Sequence, residues 1–480
     1  MGERRGGLVR PRVAMAKHYT KKEARFQVEF RPSEQATAHG GQLAANALFQ
    51  QFRMWQRIKQ APALEVRQHK GKGYDPEVYA AQTLFCLTSG GVSLADAERL
   101  DEDASIKELL GLKKCPDQSA LGQWLRQAGA AGGVEALRQI NRDFVQWILQ
   151  QAPKQRYEHS GRVECFFDDT QIEVSGPSFQ GARINYEGNL ALSWQTLWVG
   201  PLLADSVLGP TSPTKESPSS QAAGNDVSGC LPQLLCENQR LWDKGASYLY
   251  TDSASSAGKY LDTIAEHFGA WSISYNKWVE PLERKAQELP EREWSAVENT
   301  QWRDGTEHQA QYAWFRYQPG GCASPKLFAV VRHKSLAGDL FWRYAFITCQ
   351  EQSGSPRLAF EHHRLKGDKE RAFSELLSDL DLHHPPCQDL QANRMFYALA
   401  TLAYNALMAL KLIHLPESEQ PKRVRTLIRH LLLVPVELTR HARQIKARLY
   451  LPAGWIAWWR GYLAQWLPQC RQLGTIAEGG

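Results

Sequence analysis

The segment YLYTDSASSAGKYLDTIAEHFGAWSISY, residues 248–275, decides the fold class. It begins with a β-prone run that ends at Asp252, continues with a helical pattern over 256–268, and ends in a second apolar run over 271–275. Short runs rich in aromatic and branched residues predict strands, and the pattern between them predicts a helix. Strands that alternate with helices in this way predict an α/β core.

The same sheet is predicted to begin earlier in the chain, because residues 163–174 and 190–208 are rich in β-branched, aromatic and leucine residues. The sequence GARINYEGN at 181–189 separates these runs as a hairpin or bulge. A stretch rich in Ser, Pro and Gly, 209–229, predicts a loop before a helix over 231–242.

A β-rich insertion is predicted over residues 276–350, since three β-type runs follow a short helix there. Beyond about residue 367 the pattern becomes helical. The predicted β runs are 309–317, 327–333 and 341–349, and the predicted later helices are 392–412, 423–449 and 455–466.

The N-terminal part predicts a small helical domain, with apolar residues at helical spacing over 42–58 and a helix after Pro76. Ser93 and Asp117 are predicted to start further helices, because both residue types cap helix N-termini. Short helices joined by turns either only pack together or form a helix-turn-helix DNA reader. The exposed face of such a reader would carry Gln118, Ser119, Gln123 and Arg126.

Charge is distributed unevenly along the 480 residues, although the net charge is only +6. Residues 1–31 hold nine Lys or Arg against three Glu, and residues 421–448 hold eight against one, so the remainder of the chain is acidic. Basic ends around an acidic middle suit a protein that grips a polyanion and carries metals at its centre. Solvated basic faces are the alternative interpretation.

The nine cysteines include no CxxC pair, which argues against a zinc ribbon and a disulfide framework and favours a reducing cytoplasm. The N-terminus has no apolar signal segment. The longest apolar run, 395–415, contains Asn405 and Lys411 and is predicted to be a buried helix. His362, His363, His383, His384 and Cys387 match no zinc spacing.

Three acidic residues in separate segments are the candidates for chemistry: Asp169 in FFDDTQIEVSG, Asp252 in the opening segment, and Glu370 in HHRLKGDKERAFSELLSDL. Carboxylates from different elements can clamp two divalent metals. Neighbouring Asp168 and Asp169 cannot both face one site from a strand, because successive side chains alternate. Asp169 is favoured, since it shares a face with Val163, Cys165 and Phe167; Asp168 is the alternative. Each acid alone is more often a turn former or cap.

These segments, over roughly residues 25–465, resemble a DDE transposase of a bacterial insertion sequence, in the cut-and-paste group. The resemblance lies in DDTQIEVSG followed by GARINYEG, in the 248–277 segment, and in KGDKERAFSELLSDL followed by QANRMFYALATLAYNALMALK. It implies an α/β fold: an RNase-H-like catalytic core with an inserted β subdomain, flanked by helical N-terminal and C-terminal regions. It also implies that Asp169, Asp252 and Glu370 bind two Mg²⁺ ions, for which Mn²⁺ would substitute.

The domain boundaries follow from these patterns and the resemblance together. A basic flexible arm (1–24) precedes a helical DNA-binding or dimerisation domain (25–155). The core spans 156–275 and 351–415, the β-rich insertion 276–350, and a C-terminal helical region 416–480.

Members of this family usually place Tyr, Arg and Lys where this chain has His363, Lys366 and Leu377. Lys366 keeps a positive charge without the guanidinium fork, and Leu377 cannot contact phosphate. An insertion aromatic that stacks an unpaired base is expected at Trp302 or Trp314, although Trp314 suits a core strand. The residues expected to contact DNA are His363, Arg364, Lys366, Trp302, Arg126, Arg425, Arg429 and Arg443.

The resulting hypothesis is a cytoplasmic, nucleoid-associated DNA transposase that binds terminal repeats as a homodimer, cleaves double-stranded DNA at the ends and joins 3′-hydroxyls to target DNA. Two alternatives remain open. One is a transposase-derived DNA-binding protein that no longer cuts, and the other is a structure-selective nuclease without strand transfer.

Overall fold

The computed structural model describes residues 35–185, 187–210, 229–275, 279–301, 305–350, 354–441 and 444–466, with the side chains of 368–370, 440, 441, 444 and 466 left undescribed. Fourteen strands and fifteen α-helices lie in these ranges. The helices are α1 (Gln42–Gln51), α2 (Met54–Gln60), α3 (Pro76–Thr88), α4 (Leu94–Arg99), α5 (Ala104–Leu110), α6 (Gln118–Ala130), α7 (Gly133–Gln151), α8 (Leu231–Asn238), α9 (Gly258–His267), α10 (Glu280–Gln287), α11 (Pro356–His363), α12 (Lys369–Ser374), α13 (Leu390–Ala409), α14 (Val424–Leu427) and α15 (Ala453–Trp466).

The strands divide between one large mixed sheet and a small one near the C-terminus. They are β1 (Ala36–Thr37), β2 (Glu158–His159), β3 (Arg162–Glu173), β4 (Arg183–Ile184), β5 (Leu190–Val199), β6 (Leu202–Pro210), β7 (Ser247–Thr251), β8 (Ala270–Tyr275), β9 (Glu298–Gln301), β10 (Glu307–Tyr317), β11 (Lys326–Ser335), β12 (Arg343–Cys349), β13 (Val436–His441) and β14 (Gln444–Leu449).

The core of the large sheet has the order β6-β5-β3-β7-β8. β6, β5 and β3 pair antiparallel, whereas β3, β7 and β8 pair in parallel. Parallel neighbours need crossover connections, and the helices α8 and α9 lie in the two connections here. The mixed α/β class predicted from residues 248–275 is therefore present.

The β-rich insertion continues this sheet instead of closing on itself. β12 pairs antiparallel with β8, and β11, β10 and β9 follow in order. The strands agree closely with the predicted runs, because alternating apolar residues mark them. Their attachment to β8 was not visible in the sequence, since pairing partners are set by tertiary contacts.

The predicted helix over 423–449 is wrong. α14 continues only through a π-helical turn, Ile428–Leu432, and the chain then forms the antiparallel β13–β14 hairpin. Pro435 explains the change, because proline cannot continue a helix and drives the preceding residue toward extended geometry. β1 adds a third strand to this hairpin through Ala36 and Thr37. The C-terminal region is therefore not entirely helical.

Helix α13 joins the N-terminal helices to the sheet. It contacts α3, α6, α7 and β6. Asn405 on α13 donates to Asn141 on α7 at 2.8 Å and to the carbonyl of Leu203 on β6 at 2.8 Å, while its own oxygen accepts from the Leu203 N–H at 3.0 Å. A fully satisfied buried amide of this kind fixes the relative position of three elements.

Close packing around α13 depends on a small residue. A Cβ at Gly129 on α6 would lie 2.7 Å from the carbonyl oxygen of Gln391 on α13. The segment Leu390–His414 is long and apolar enough to cross a membrane, but 94% of its most apolar window is buried inside the fold. It is the buried helix that the sequence predicted.

A buried ion cluster attaches α7 to β6. Arg138 donates to Asp205 at 2.8 and 2.9 Å, and Arg142 donates to the same carboxylate at 3.0 Å. Asp205 is 1% exposed, and Glu135 and Glu237 complete the set of acids around the two guanidinium groups. Removing one member of such a cluster leaves buried charge without full compensation.

We therefore expect Asp205→Ala to lower the free energy of unfolding by about 3–5 kcal/mol. Arg99→Ala is the control, because Arg99 pairs with Asp96 at 3.4 Å but is 74% exposed. Its loss should cost about 0–1 kcal/mol. Urea denaturation of both variants measures the difference, and equal losses would contradict the role of the cluster.

Candidate active site

The register between β3 and β7 decides which of the two adjacent aspartates faces the second acid. Phe167 pairs in parallel with Thr251, so Asp168 and Asp252 occupy the next positions along their strands. Neighbouring parallel strands lie about 5 Å apart, and laterally paired residues project to the same face. Asp168 and Asp252 therefore share one face of the sheet, and Asp169 projects from the other.

Lys366 lies over Asp168. Its ammonium is 3.1 Å from the Asp168 carboxylate, and both side chains are about one quarter exposed. Lys366 belongs to the 3₁₀ segment Arg364–Asp368, which connects α11 to α12. The helical segment that carries Glu370 thus packs on the same face as Asp168 and Asp252.

Burial raises the pKa of Asp168, and the nearby Asp252 raises it further, while Lys366 acts in the opposite direction. Two carboxylates close together destabilise each other's charged form, and a cation relieves that repulsion. Asp252 also accepts a hydrogen bond from the Ala254 N–H at 2.9 Å, which fixes its side chain at the end of β7.

Glu370 is the second residue of α12, and its side chain lies outside the described part of the structure. It follows Lys366 by four residues, which corresponds to about 6–8 Å along a helix axis. The backbone of α12 therefore starts within one side-chain length of Lys366, on the side of the sheet that carries Asp168 and Asp252.

Asp169 has a different environment from its neighbour. Its carboxylate accepts hydrogen bonds from Ser193 and Gln171. Gln195 opposes Asp169 across the β3–β5 ladder, and Cys230, at the start of α8, bonds to Gln195. Burial raises the pKa of Asp169 to about 7 despite these hydrogen bonds. The strand register thus places Asp168, which the sequence offered only as the alternative, on the face of Asp252 and Asp169 on the other face, although the charge of Asp252 still contributes to the raised pKa of Asp169.

The segment that carries His363, Lys366, Glu370 and Leu377 is not one regular helix. A 3₁₀ segment precedes α12, and a π-helical turn, Glu375–Asp379, follows it. His363 is held to the sheet, where its Nδ1 lies 2.9 Å from the Ser272 hydroxyl. Burial and the charge of Lys366 lower the pKa of His363 to about 4, so this imidazole is neutral at pH 7.

The remaining residues expected to contact DNA are scattered. Arg364, Arg425 and Arg429 are exposed, and so are Gln118, Ser119, Gln123 and Arg126 on α6. Gln118, Ser119 and Arg126 line a cleft of 640 Å³ between α6 and residues 386–389. Trp302 and Arg443 lie outside the described residues, and Trp314 is half-buried in β10. DNA contact by these residues stays a prediction.

Asp381, His383 and His384 bring three ligand atoms within 4.8 Å of one another. His383 already bonds to the Leu377 carbonyl, and both histidines lie within 3.4 Å of Asp381. Hydrogen bonding thus accounts for this arrangement without a metal.

The raised pKa of Asp169 predicts a pH dependence of stability. Between about pH 4 and 7 the folded protein holds a proton on Asp169 that the unfolded chain has released, so the free energy of unfolding falls as pH rises through this window. In Asp169→Asn we expect this fall to be smaller, by on the order of 2 kcal/mol after allowance for solvent screening. Urea denaturation at pH 4.5 and 7.5 measures it, and an unchanged difference between the two pH values would disprove the assignment.

Comparison with known proteins identifies the family of this chain. The family model for the transposase DDE domain, group 1, matches residues 211–462, which is more than half of the chain. The match includes Asp252 and Glu370 but begins after β3. The assignment of the first acid therefore depends on the strand register alone. A search of curated proteins found no match. The chain belongs to the DDE transposases of group 1.

Proposed function

We propose that this protein binds the terminal repeats of a transposable element, cleaves the DNA at its ends and joins the freed 3′-hydroxyls to target DNA. Membership of the DDE transposase family implies a DNA-processing enzyme and a divalent metal. The observation that carries the proposal is the pairing of Asp168 with Asp252 on one face, beneath the segment that leads to Glu370.

The first catalytic acid in this proposal is Asp168, in place of Asp169. All ligands of one metal site must point toward the same place. The parallel register of β3 and β7 directs Asp168 to the face that carries Asp252. The second and third acids are Asp252 and Glu370. The strand order β6-β5-β3-β7-β8, with two parallel pairs after two antiparallel ones, supports the RNase-H-like core that the resemblance implied.

The residues present fit a divalent metal. Asp168 and Asp252 are oxygen donors from the ends of two different strands, and burial, together with repulsion by Asp252, raises the pKa of Asp168. We propose two Mg²⁺ ions held by Asp168, Asp252 and Glu370. When bound, they would supply Lewis-acid activation of the attacking oxygen and of the scissile phosphate.

Side chains around the acids would position the substrate. Lys366 offers a point charge to a phosphate oxygen beside the carboxylates, without the two-pronged geometry of arginine. The neutral His363 is fixed by Ser272 and so shapes the wall of the site without adding charge. We propose that exposed Arg126, Arg425 and Arg429 contact double-stranded DNA, and that the enzyme acts as a homodimer in a bacterial cytoplasm.

Cleavage of DNA tests the proposal. Duplexes made from the DNA that flanks the coding sequence are incubated with the protein and Mg²⁺ or Mn²⁺. Asp168→Asn and Asp252→Asn should each reduce cleavage by more than about 100-fold, because losing a metal ligand should exceed the cost of losing an outer-shell partner. Asp169→Asn is the matched control and should keep cleavage.

The products separate the candidate functions. Cleavage followed by joining supports the transposase, cleavage alone supports a nuclease, and binding without cleavage supports a DNA-binding derivative. Undiminished cleavage by Asp168→Asn together with loss in Asp169→Asn would show that the register argument selects the wrong acid.

Metal binding is also measurable without DNA. A ligand at 100 times its dissociation constant stabilises the folded state by about 2.7 kcal/mol, so Mn²⁺ should raise the Tm of the wild type and of Asp169→Asn. The same addition should leave the Tm of Asp168→Asn nearly unchanged. A thermal shift that persists in Asp168→Asn would contradict the proposed ligand set.

A further inference from the structure

A second polar cleft lies at the far end of the helical segment that begins with α12. It has a volume of 350 Å³ and opens between the π-helical turn Glu375–Asp379 and α14. We call it the arginine cleft. It is lined by three arginines and three hydroxyl side chains, Arg423, Arg425, Arg429, Ser374, Ser378 and Thr426, around the carboxylate of Asp379.

A buried carboxylate organises the arginine cleft from below. Asp379 has only 2% of its side chain exposed, and it accepts two hydrogen bonds from the Arg423 guanidinium, at 3.1 and 2.9 Å. Its oxygen also accepts from the backbone N–H of Arg425 at 3.1 Å. Asp379 therefore sets both the direction of one guanidinium and the backbone that carries the next arginine.

The rim of the cleft carries positive charge that the acid does not neutralise. Arg425 is 52% exposed and donates to the Ser378 carbonyl at 2.6 Å, which leaves further donors of its guanidinium facing the cleft. Arg429 is exposed and has no ion pair within the described part of the chain. Three arginines face one aspartate, so the site favours an anion with several acceptor oxygens.

The chemistry and the location together indicate a phosphate of nucleic acid. Arginine forks match phosphate oxygens, and hydroxyl groups donate to them as well. Ser374 and Asp379, at the two sides of the cleft, follow Glu370 by four and nine residues, or about 6 and 14 Å along a helix axis. Since a DNA strand rises about 3.4 Å per nucleotide, the cleft lies roughly two to four nucleotides from the acidic site.

We propose that the arginine cleft holds a backbone phosphate of the DNA strand that is cut, a few nucleotides from the scissile bond, with Asp379 as the positioning residue. This inference rests on the proposed cleavage of DNA at Asp168 and Asp252. It assigns phosphate binding to the residues that line the arginine cleft. Leu377, which stands where the family usually has a lysine, contributes no charge.

The salt dependence of DNA binding tests the cleft. A fluorescent 30-base-pair duplex of mixed sequence is titrated with protein from 50 to 300 mM NaCl, without divalent metal. Each lost phosphate contact reduces the slope of log K against log salt by about 0.9, so Arg425→Gln with Arg429→Gln, which together remove the contact with one phosphate, should reduce it by about 0.9. Arg240→Gln is the control, because Arg240 is 41% exposed and follows α8, whose first turn bonds through Cys230 to Gln195, the partner of Asp169 across the β3–β5 ladder. Its slope should match that of the wild type.

Asp379→Asn tests the positioning role. We expect weaker binding of the duplex with Arg425 and Arg429 intact, because Arg423 loses its charged partner and a single acceptor oxygen is left for the Arg423 guanidinium and the Arg425 N–H. Restoration of binding by Asp379→Glu would support a role of charge over shape. Thermal unfolding of each variant checks that it is folded, and a folded Asp379→Asn protein that binds like the wild type would exclude the positioning role.

Position along the strand is tested with neutral methylphosphonate linkages, placed two to four nucleotides from a mapped cleavage position. They should weaken binding by the wild type and have no further effect on the double arginine variant. An unchanged salt slope in that variant, with normal cleavage, would overturn the cleft and leave the proposed function standing. A reduced slope in the double arginine variant, combined with a wild-type protein that binds but does not cleave DNA, would overturn the proposed function alone.

Discussion

The parallel pairing of β3 with β7 is the constraint on which the active site depends. One register places Phe167 beside Thr251 and, as a consequence, Asp168 beside Asp252. A shift of one residue would turn every side chain of β3 to the other face and bring Asp169 into that position. Buried Cys165, Phe166 and Phe167 oppose such a shift, because each already packs in the core. The packing of these apolar residues therefore determines which of the two adjacent aspartates faces Asp252.

Helix α13 provides the second constraint, since it packs against the N-terminal helices and the sheet together. Asn405 links α13 to α7 and β6, and the Arg138–Asp205 cluster reinforces the α7–β6 contact. The buried apolar residues of the N-terminal helices, of α13 and of the large sheet belong to one hydrophobic core. DNA held by the N-terminal helices would thus be presented to the acids by a rigid connection.

Positive charge from two parts of the chain lies along the segment that runs from Lys366 to Asp379. Lys366 lies beside Asp168, α12 follows, and the arginine cleft lies at the end of the next turn. The 3₁₀ and π-helical turns around α12 change the number of residues per turn. Residues that would lie on one face of a regular helix therefore point in different directions. Buried Asp379 then recruits arginines from a distant part of the sequence.

The sequence by itself determined the α/β class, the strands of the insertion, the buried helix over 395–415 and the segments that contain the acids, because apolar periodicity and local caps are written in neighbouring residues. It favoured Asp169 over Asp168, because the register that directs Asp168 to the face of Asp252 is not written in neighbouring residues. It also missed the β13–β14 hairpin, where Pro435 ends the helical run, and the attachment of Arg423 to Asp379, 44 residues away. Only the tertiary structure decided these points, because each depends on contacts between residues far apart in the chain.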